Sequence, residues 1–507
     1  MICERLKTRN QRLIIERIIV KGTLILDTPT GLGSGDADGD ADLVILRDII
    51  EDKALLMGSS ITGALRNYLR EFEHGYDATE KSLLFGGDRS DNDGEQSPLI
   101  VNDALSSEFI QTELRDGVEI SSLTGTAVDT AKYDLELLEA GTKFELYFEL
   151  LIGESDDREQ LIRELFIVLQ GLEDGEISLG MKKRRGFGRC HVKTWQVWRF
   201  DWQKLDNLIE WLNFEHWTTG LFSSHNSYPK ILEAFQKAGI KVKSGWKDNR
   251  NRFTIQATFT LASPLLIRSS QADTQKAPDD VHLKSRRNGE LKSILSGTSL
   301  AGVLRHRAER IVNTLAENNQ RETSRIQIID EMFGFVKDNK DNLDLISNDN
   351  NLKAQASRLI VHESIIKETN DLVQTRIAID RFTGGALHGA LFQEQPIFAN
   401  EKTELKLKIE LRQPEKYEIG LLLLLLKDLW TGDLPVGSTS SIGRGRLQGK
   451  EAIINWYTNS PKKWKFKLKD NKLQVEDLLN KKSSLNKIQA ELNILVTEFV
   501  NQVKQYE

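Results

Sequence analysis

Two short loops carry the densest chemistry in this 507-residue sequence. Each reads Gly-x5-Gly-x-Gly-Arg, once over residues 180–189 and again over 437–446. Glycines at alternate positions let a backbone come close to a polyanion with its N–H groups exposed, and a flanking arginine adds charge. The first loop runs Met181-Lys182-Lys183-Arg184-Arg185 into Gly186, Gly188 and Arg189. The second runs Ser438-Thr439-Ser440-Ser441-Ile442 into Gly443, Arg444, Gly445 and Arg446, and its hydroxyls also donate to phosphate. A lone Gly-x-Gly would be a plain hairpin turn. Two copies filled with phosphate-compatible side chains favour contact with an RNA backbone.

The loops belong to a larger duplication, offset by about 235 to 260 residues. Leu24-Ile25-Leu26-Asp27-Thr28-Pro29 matches Phe259-Thr260-Leu261-Ala262-Ser263-Pro264, each a strand ending at proline. Gly58-Ser59-Ser60-Ile61-Thr62-Gly63-Ala64-Leu65-Arg66 matches Gly297-Thr298-Ser299-Leu300-Ala301-Gly302-Val303-Leu304-Arg305, each a turn with Ser or Thr available to cap an amphipathic helix. Phe85-Gly86 matches Phe333-Gly334, and Thr124-Gly125-Thr126-Ala127 matches Thr383-Gly384-Gly385-Ala386. Apolar helical stretches at 161–172 and 419–430 precede the two glycine loops. Within each copy the order is strand, helix, strands, helix, strand. That predicts an α+β fold of two tandem ferredoxin-like, RRM-like modules with insertions, each sheet carrying helices on one face and leaving the other free for a ligand. The expected divisions are a first module over 1–193, a Trp-rich helical connector over 194–250, a second module over 251–450 and a C-terminal helical extension over 451–507.

Composition narrows the class. Hydrophobic content of 39% and charged content of 28% describe a globular chain. Residues 421–426 are six leucines, far short of the roughly 20 apolar residues that cross a bilayer, so they predict a buried helix. Cys3 and Cys190 alone give neither a disulfide framework nor a cysteine metal cluster. Without a secretory signal or a membrane span, the expected location is cytoplasmic, with no membrane partner. The net charge of −6 argues mildly against nucleic acid, so local patches must do any binding. Such patches exist, because residues 36–42 and 88–95 are acidic while 182–189 are strongly basic.

These motifs resemble the RAMP superfamily, the ferredoxin-like RNA-binding proteins of CRISPR systems. The likeness is greatest to the backbone subunit (Cas seven family) of type III effectors, two modules being fused as in type III-D systems. It rests on the Gly-Ser/Thr-Ser-x2-Gly-x-Leu-Arg motif, on Arg376-Ile377-Ala378-Ile379-Asp380-Arg381-Phe382-Thr383-Gly384-Gly385-Ala386, on Leu391-Phe392 and Tyr133-Asp134-Leu135-Glu136, and on the two glycine loops. The resemblance implies binding of guide (CRISPR) RNA through Ser59, Ser60, Arg66, Thr298, Ser299, Arg305 and the loop residues. It also implies a thumb hairpin gripping the guide–target duplex, other effector subunits as partners, and Mg²⁺- or Mn²⁺-dependent cutting of target RNA.

The family's catalytic aspartate lies in a pattern like Gly-x2-Asp-x2-Ile-x-Arg, which Gly39 to Arg47 fit with Asp42 at the position. A carboxylate there can hold a divalent ion or help to deprotonate the ribose 2′-hydroxyl, leaving a cyclic phosphate. Two rivals share that loop. One is a solvated acidic loop. The other is a calcium loop begun by Asp36, Asp38 and Asp40, but its twelfth position would be Arg47 rather than glutamate. In the second copy the segment holds Asp273, Asp279 and Asp280. Counting back from the helix motif selects Asp280 and sets Leu283 opposite Ile45, with Asp279 as substitute. Relatives that process precursor RNA use histidine without metal, and His282 and His388 are the candidates, though neither has an activating neighbour in sequence. Arg66 and Arg305 are divided evenly between phosphate and a buried carboxylate.

Overall fold

The computed structural model describes residues 13–33, 44–77, 79, 82–87, 96–121, 124–214, 227–243, 245–269, 278–287, 289–316, 321–336, 354–469, 472–480 and 484–505. Asp42 with the rest of the 36–42 acidic loop, residues 88–95 and Asp273 lie outside them. The chain divides into two compact units. One comprises the described residues of Met1–Glu113, Glu136–Met181 and Gly188–Asn249; the other those of Leu114–Leu135, Lys182–Phe187 and Arg250–Glu507.

The first unit is built on β1 (Ile14–Leu26), whose alternation sends Ile18, Val20, Leu24 and Leu26 into the core. Helix α1 (Gly58–His74) buries Ile61, Leu65, Tyr68 and Leu69, one stripe at helical spacing. Strand β2 (Leu99–Val101) follows, then β3 (Thr112–Ile120) and β4 (Ala127–Leu138), which pair as a hairpin whose residues 114–135 belong to the second unit. Next come β5 (Lys143–Gly153), α2 (Arg158–Glu173) and β6 (Cys190–Asp201). The sheet order is β2-β5-β1-β6, antiparallel throughout, which is the ferredoxin-like arrangement.

Beyond β6, α3 (Leu205–Leu212) and α4 (Ile231–Lys237) close the unit. The expected division after residue 193 falls inside β6, which stays paired with β1 as far as Glu16 and Asp201. Trp195 and Trp198 therefore sit on a strand, not in a helical connector. Trp195 is fully buried over Gly22, where a Cβ would stand 2.7 Å from its ring. The outer face of this sheet is not free either. Trp211 and Phe214 cover it with Phe200, Trp198 and Trp202, and the Arg17 guanidinium stacks 3.9 Å from the Trp211 ring while pairing with Glu149.

The second unit repeats the plan with additions. Its strands and helices are β7 (Arg252–Leu261), β8 (Asp280–His282), β9 (Lys284–Arg287), β10 (Glu290–Leu295), α5 (Gly297–Leu315) and α6 (Arg321–Phe333). They continue with β11 (Leu359–Val361), β12 (Ser364–Asp371), β13 (Gln374–Ile379), β14 (Ala386–Gln395), β15 (Ile397–Arg412) and α7 (Lys416–Thr431). The last are β16 (Leu447–Tyr457), β17 (Lys462–Lys469), β18 (Lys472–Asp477) and α8 (Leu485–Gln505). Strands β11-β15-β7-β16 repeat the first sheet's order, and β17 and β18 extend it past β16.

The expected division at 450/451 thus falls inside β16, and the 451–507 segment adds two strands before its helix. Its Lys-Trp-Lys-Phe-Lys-Leu alternation over residues 463–468 is a period of two, which only a strand can sort into an apolar and a polar face. The leucine run forms part of α7 as expected, with Leu421, Leu422, Leu425 and Leu426 buried and Leu423 and Leu424 partly so. Gly420 lets α8 cross closely there, since a Cβ would stand 2.2 Å from the Leu495 carbonyl oxygen. Each unit has its own core, and no buried residue belongs to both.

Candidate nucleic-acid interface

The two glycine loops share one backbone path. Left-handed conformations fall at Gly180, Lys182, Gly186 and Gly188, and again at Gly437, Thr439, Gly443 and Gly445. The same bonds close each. The Gly188 amide donates to the Pro29 carbonyl (3.0 Å) and the Gly445 amide to that of Pro264 (2.8 Å). The Met181 amide donates to Gly31 (3.1 Å) and the Ser438 amide to Leu266 (2.8 Å). The duplication is therefore conserved down to individual hydrogen bonds.

Most of these glycines serve that closure rather than a ligand. A Cβ on Gly188 would lie 1.8 Å from the Leu179 carbonyl oxygen, and one on Gly445 would lie 1.9 Å from that of Val436. Gly443 alone of the pairs named has open space around it, among exposed Ser440, Ser441 and Ile442. Arg444 is buried, its Nη1 2.9 Å from Glu394 and its Nη2 2.7 Å from the Gln374 side-chain oxygen, so it anchors the loop instead of meeting RNA. Phe187 fills the same loop position in the first copy and is buried too. Arg446 stays exposed, although its Nη1 donates to the Gly432 carbonyl (3.0 Å).

The basic loop sits differently. Within the second unit, Lys182 places its Nζ 3.7 Å above the Tyr133 ring, and residues 183–185 form a 3-10 turn against β11 and α5. The loop is tightly seated there, because a Cβ on Gly186 would lie 2.4 Å from the Glu363 amide nitrogen. Arg185 is the unusual member. Its Nη1 is buried without a hydrogen-bond partner, and burial followed by the nearby Arg305 charge lowers its pKa from the ordinary value. Two guanidiniums at close quarters with an unmet donor form an anion-seeking arrangement.

The helix arginines are held within the chain. Arg66 Nη2 donates to the Phe85 carbonyl (2.6 Å), and Arg305 Nη1 donates to that of Gly334 (2.7 Å) while Nη2 pairs with Asp330 (2.8 Å). Both tie the helix to the Phe-Gly turn, and Arg305 also has the carboxylate partner that was one of its two expected readings. Ser59 and Ser60 are exposed at the start of α1. Thr298 and Ser299 are half-buried and tied to Ser296, whose Oγ accepts from the Ser299 amide at 3.2 Å.

The structure also corrects the aspartate register. Leu46 donates to Leu32 (2.7 Å) and accepts from Leu55 (3.0 Å); Leu283 donates to Ile267 (2.8 Å) and accepts from Ile294 (3.2 Å). Leu283 thus stands where Leu46 does, not Ile45. Four residues upstream of these leucines are Asp42 and Asp279, and one residue downstream are Arg47 and Lys284. Counting from the helix chose Asp280 because Leu55 follows Leu46 by nine positions whereas Ile294 follows Leu283 by eleven. The hairpin β9–β10 absorbs the extra length.

Asp279 is exposed, one carboxylate oxygen accepting from the Gln393 amide at 2.8 Å. Asp280 pairs with Arg268 at 3.0 Å. No group of three His, Cys, Asp or Glu suited to a metal occurs among the described residues. Asp279 and Asp280, so engaged, do not by themselves make a donor set for a divalent ion, and Asp273 of the same loop lies outside the described residues.

Two ion clusters escaped sequence reading. Glu363 is buried between Arg287 and Arg115 of β3, the latter at 3.2 Å, and Glu394 is buried between Arg376 and Arg444, both at 2.9 Å. Their members lie far apart in sequence, and only the interruption of Gly-x-Gly by arginine in one copy and phenylalanine in the other hinted at the second.

A family model described as RAMPs, the RAMP superfamily, matches residues 23–191 and again 258–448. No curated protein matches the chain.

Proposed function

The chain belongs to the RAMP superfamily, as a CRISPR-associated RNA-binding protein with two modules in one polypeptide, and from that premise we propose that it is a guide-RNA-binding backbone subunit of a type III effector that cuts target RNA. The observation that carries RNA contact at the first loop is Arg185, whose buried and unmet Nη1 beside Arg305 is satisfied by a phosphate. Lys182 over Tyr133 supplies a further donor at the same loop, and on the first unit the exposed Ser59 and Ser60 offer donors of their own. The β13–β14 hairpin is suited to grip a duplex. Ile379 and Leu391 are more than 60% exposed and Phe382 is fully exposed at its tip, while Asp380 stiffens the turn by accepting from the Phe382 and Thr383 amides.

Cleavage is assigned to Asp42 and Asp279. The carboxylate takes the proton of a ribose 2′-hydroxyl, the 2′-oxygen attacks the adjacent phosphorus, and the 5′-oxygen leaves with a proton. The products are a 2′,3′-cyclic phosphate and a 5′-hydroxyl. The expected Mg²⁺ or Mn²⁺ is kept as a requirement to be tested in the reaction, and no step is written through it.

The test assembles the chain with guide RNA and its partner subunits and adds complementary target. Asp42→Ala and Asp279→Ala should each remove one cleavage product, and Asp280→Asn should leave both. Unchanged fragments in the two alanine variants would sink the nuclease reading while leaving RNA binding intact. Full activity in excess chelator would remove the divalent ion.

A further inference from the structure

The outer faces of the two sheets differ in a way that the duplication does not require. In the first unit that face is closed by aromatic rings, and Ile19 beneath them is fully buried. Counting back from the shared proline, Lys21 stands where Gln256 does. Lys21 Nζ lies 5.7 Å from the Tyr147 and Trp198 rings, whereas Gln256, on an interior strand of the second sheet, is exposed to solvent. Around Gln256 the second face is therefore open and rich in lysine, whereas farther along it, in the row of Lys463, Thr254 and Glu410 are buried.

Strand β17 turns Trp464 and Phe466 to the core and Lys463, Lys465 and Lys467 outward. Alternate side chains on a strand repeat every 7 Å or so, comparable with the phosphate repeat of an extended single strand. Across the sheet the row continues. Lys465 faces Ile453, then Gln256, then Lys408; Lys467 faces Glu451, then Thr258, then Lys406. Glu451 pairs with Lys465 and Glu404 with Lys406, both at 3.2 Å, whereas no ion pair to Lys463 or Lys467 occurs among the described residues. Because β18 lies outside β17, these lysines do not guard a sheet edge. In a chain of net charge −6 the cluster is no reflection of average composition.

We propose that the open face of the second sheet, centred on Lys463, Lys465 and Lys467, is a second RNA-binding surface that holds a single strand by its phosphodiester backbone without reading sequence. It rests on the RNA-binding reading above but uses none of the loop residues. Lysine ammoniums are point charges that contact phosphate without base discrimination, so binding there is governed by counterion release.

The test measures binding of the full chain to a labelled oligouridylate of about 20 nucleotides over a salt series. The triple variant Lys463→Gln, Lys465→Gln, Lys467→Gln should weaken binding by about tenfold at low salt and flatten the log–log salt slope by about 2, the share of three phosphate contacts on a single strand. The matching triple arginine variant should bind like the parent, and Lys467→Glu alone should weaken binding if the triple variant does not fold. Unchanged affinity and slope in a folded glutamine variant overturn the proposal, as does a defect confined to anionic lipid vesicles. The loop variant Lys182→Gln, Lys183→Gln separates the two surfaces. Loss there, with a β17 glutamine variant that binds like the parent, would leave the loop reading standing and this one refuted, and the reverse pattern would do the opposite.

Discussion

A single buried imidazole sets a pH limit on the second unit. His282 is 3% exposed, its Nδ1 accepts from the Ile267 amide at 3.2 Å, and burial pushes its pKa down to about 4. The folded value lies below the unfolded one near 6.5, so the unfolded chain binds the proton first. The stability held above pH 6.5 is lost as pH falls from there to about 4, in total about 3 kcal/mol. Urea unfolding at pH 7 and pH 4.5 checks this, and His282→Gln should lessen the difference. A histidine so enclosed does not serve the metal-free processing chemistry for which the sequence offered it. The aspartates show how far single residues were legible. The pattern around Asp42 was readable because its Ile and Arg are in register, but a two-residue lengthening downstream displaced the second copy's count by one position. Only the hydrogen bonds of Leu46 and Leu283 restore it.

At the level of elements, periodicity carried most of what could be read. The alternation of β7 and the apolar stripes of α1 and α5 follow from side-chain geometry alone, and they emerge where expected. The covering of the first sheet was not legible, since Trp211 and Phe214 reach it through a turn that no period encodes. The glycine loops were read correctly in place and incompletely in purpose. Gly445→Ala should cost about 3 kcal/mol or more, because its methyl meets a carbonyl oxygen that cannot move without opening the loop. Gly443→Ala meets no neighbour and should cost only about 1 kcal/mol, for its left-handed backbone. Chemical denaturation of the pair separates closure from exposure.

For the whole molecule, two cores without a common residue mean that damage to one stays local. Phe499 of α8 is fully buried in the second, and Phe499→Ala should cost about 3–5 kcal/mol there. Hydrogen exchange should then quicken in β7 and β15 while β1 and β5 keep their protection. One feature reaches further, into how the chain is made. Arg115, early in the sequence, is buried against Glu363, 248 residues later. At ribosomal speeds of about 5–20 residues per second, the hairpin that carries it emerges roughly ten to fifty seconds before the carboxylate that neutralises it. During synthesis the first module must therefore mature with that hairpin undocked, and the last part of its own sequence to settle is a segment from its middle.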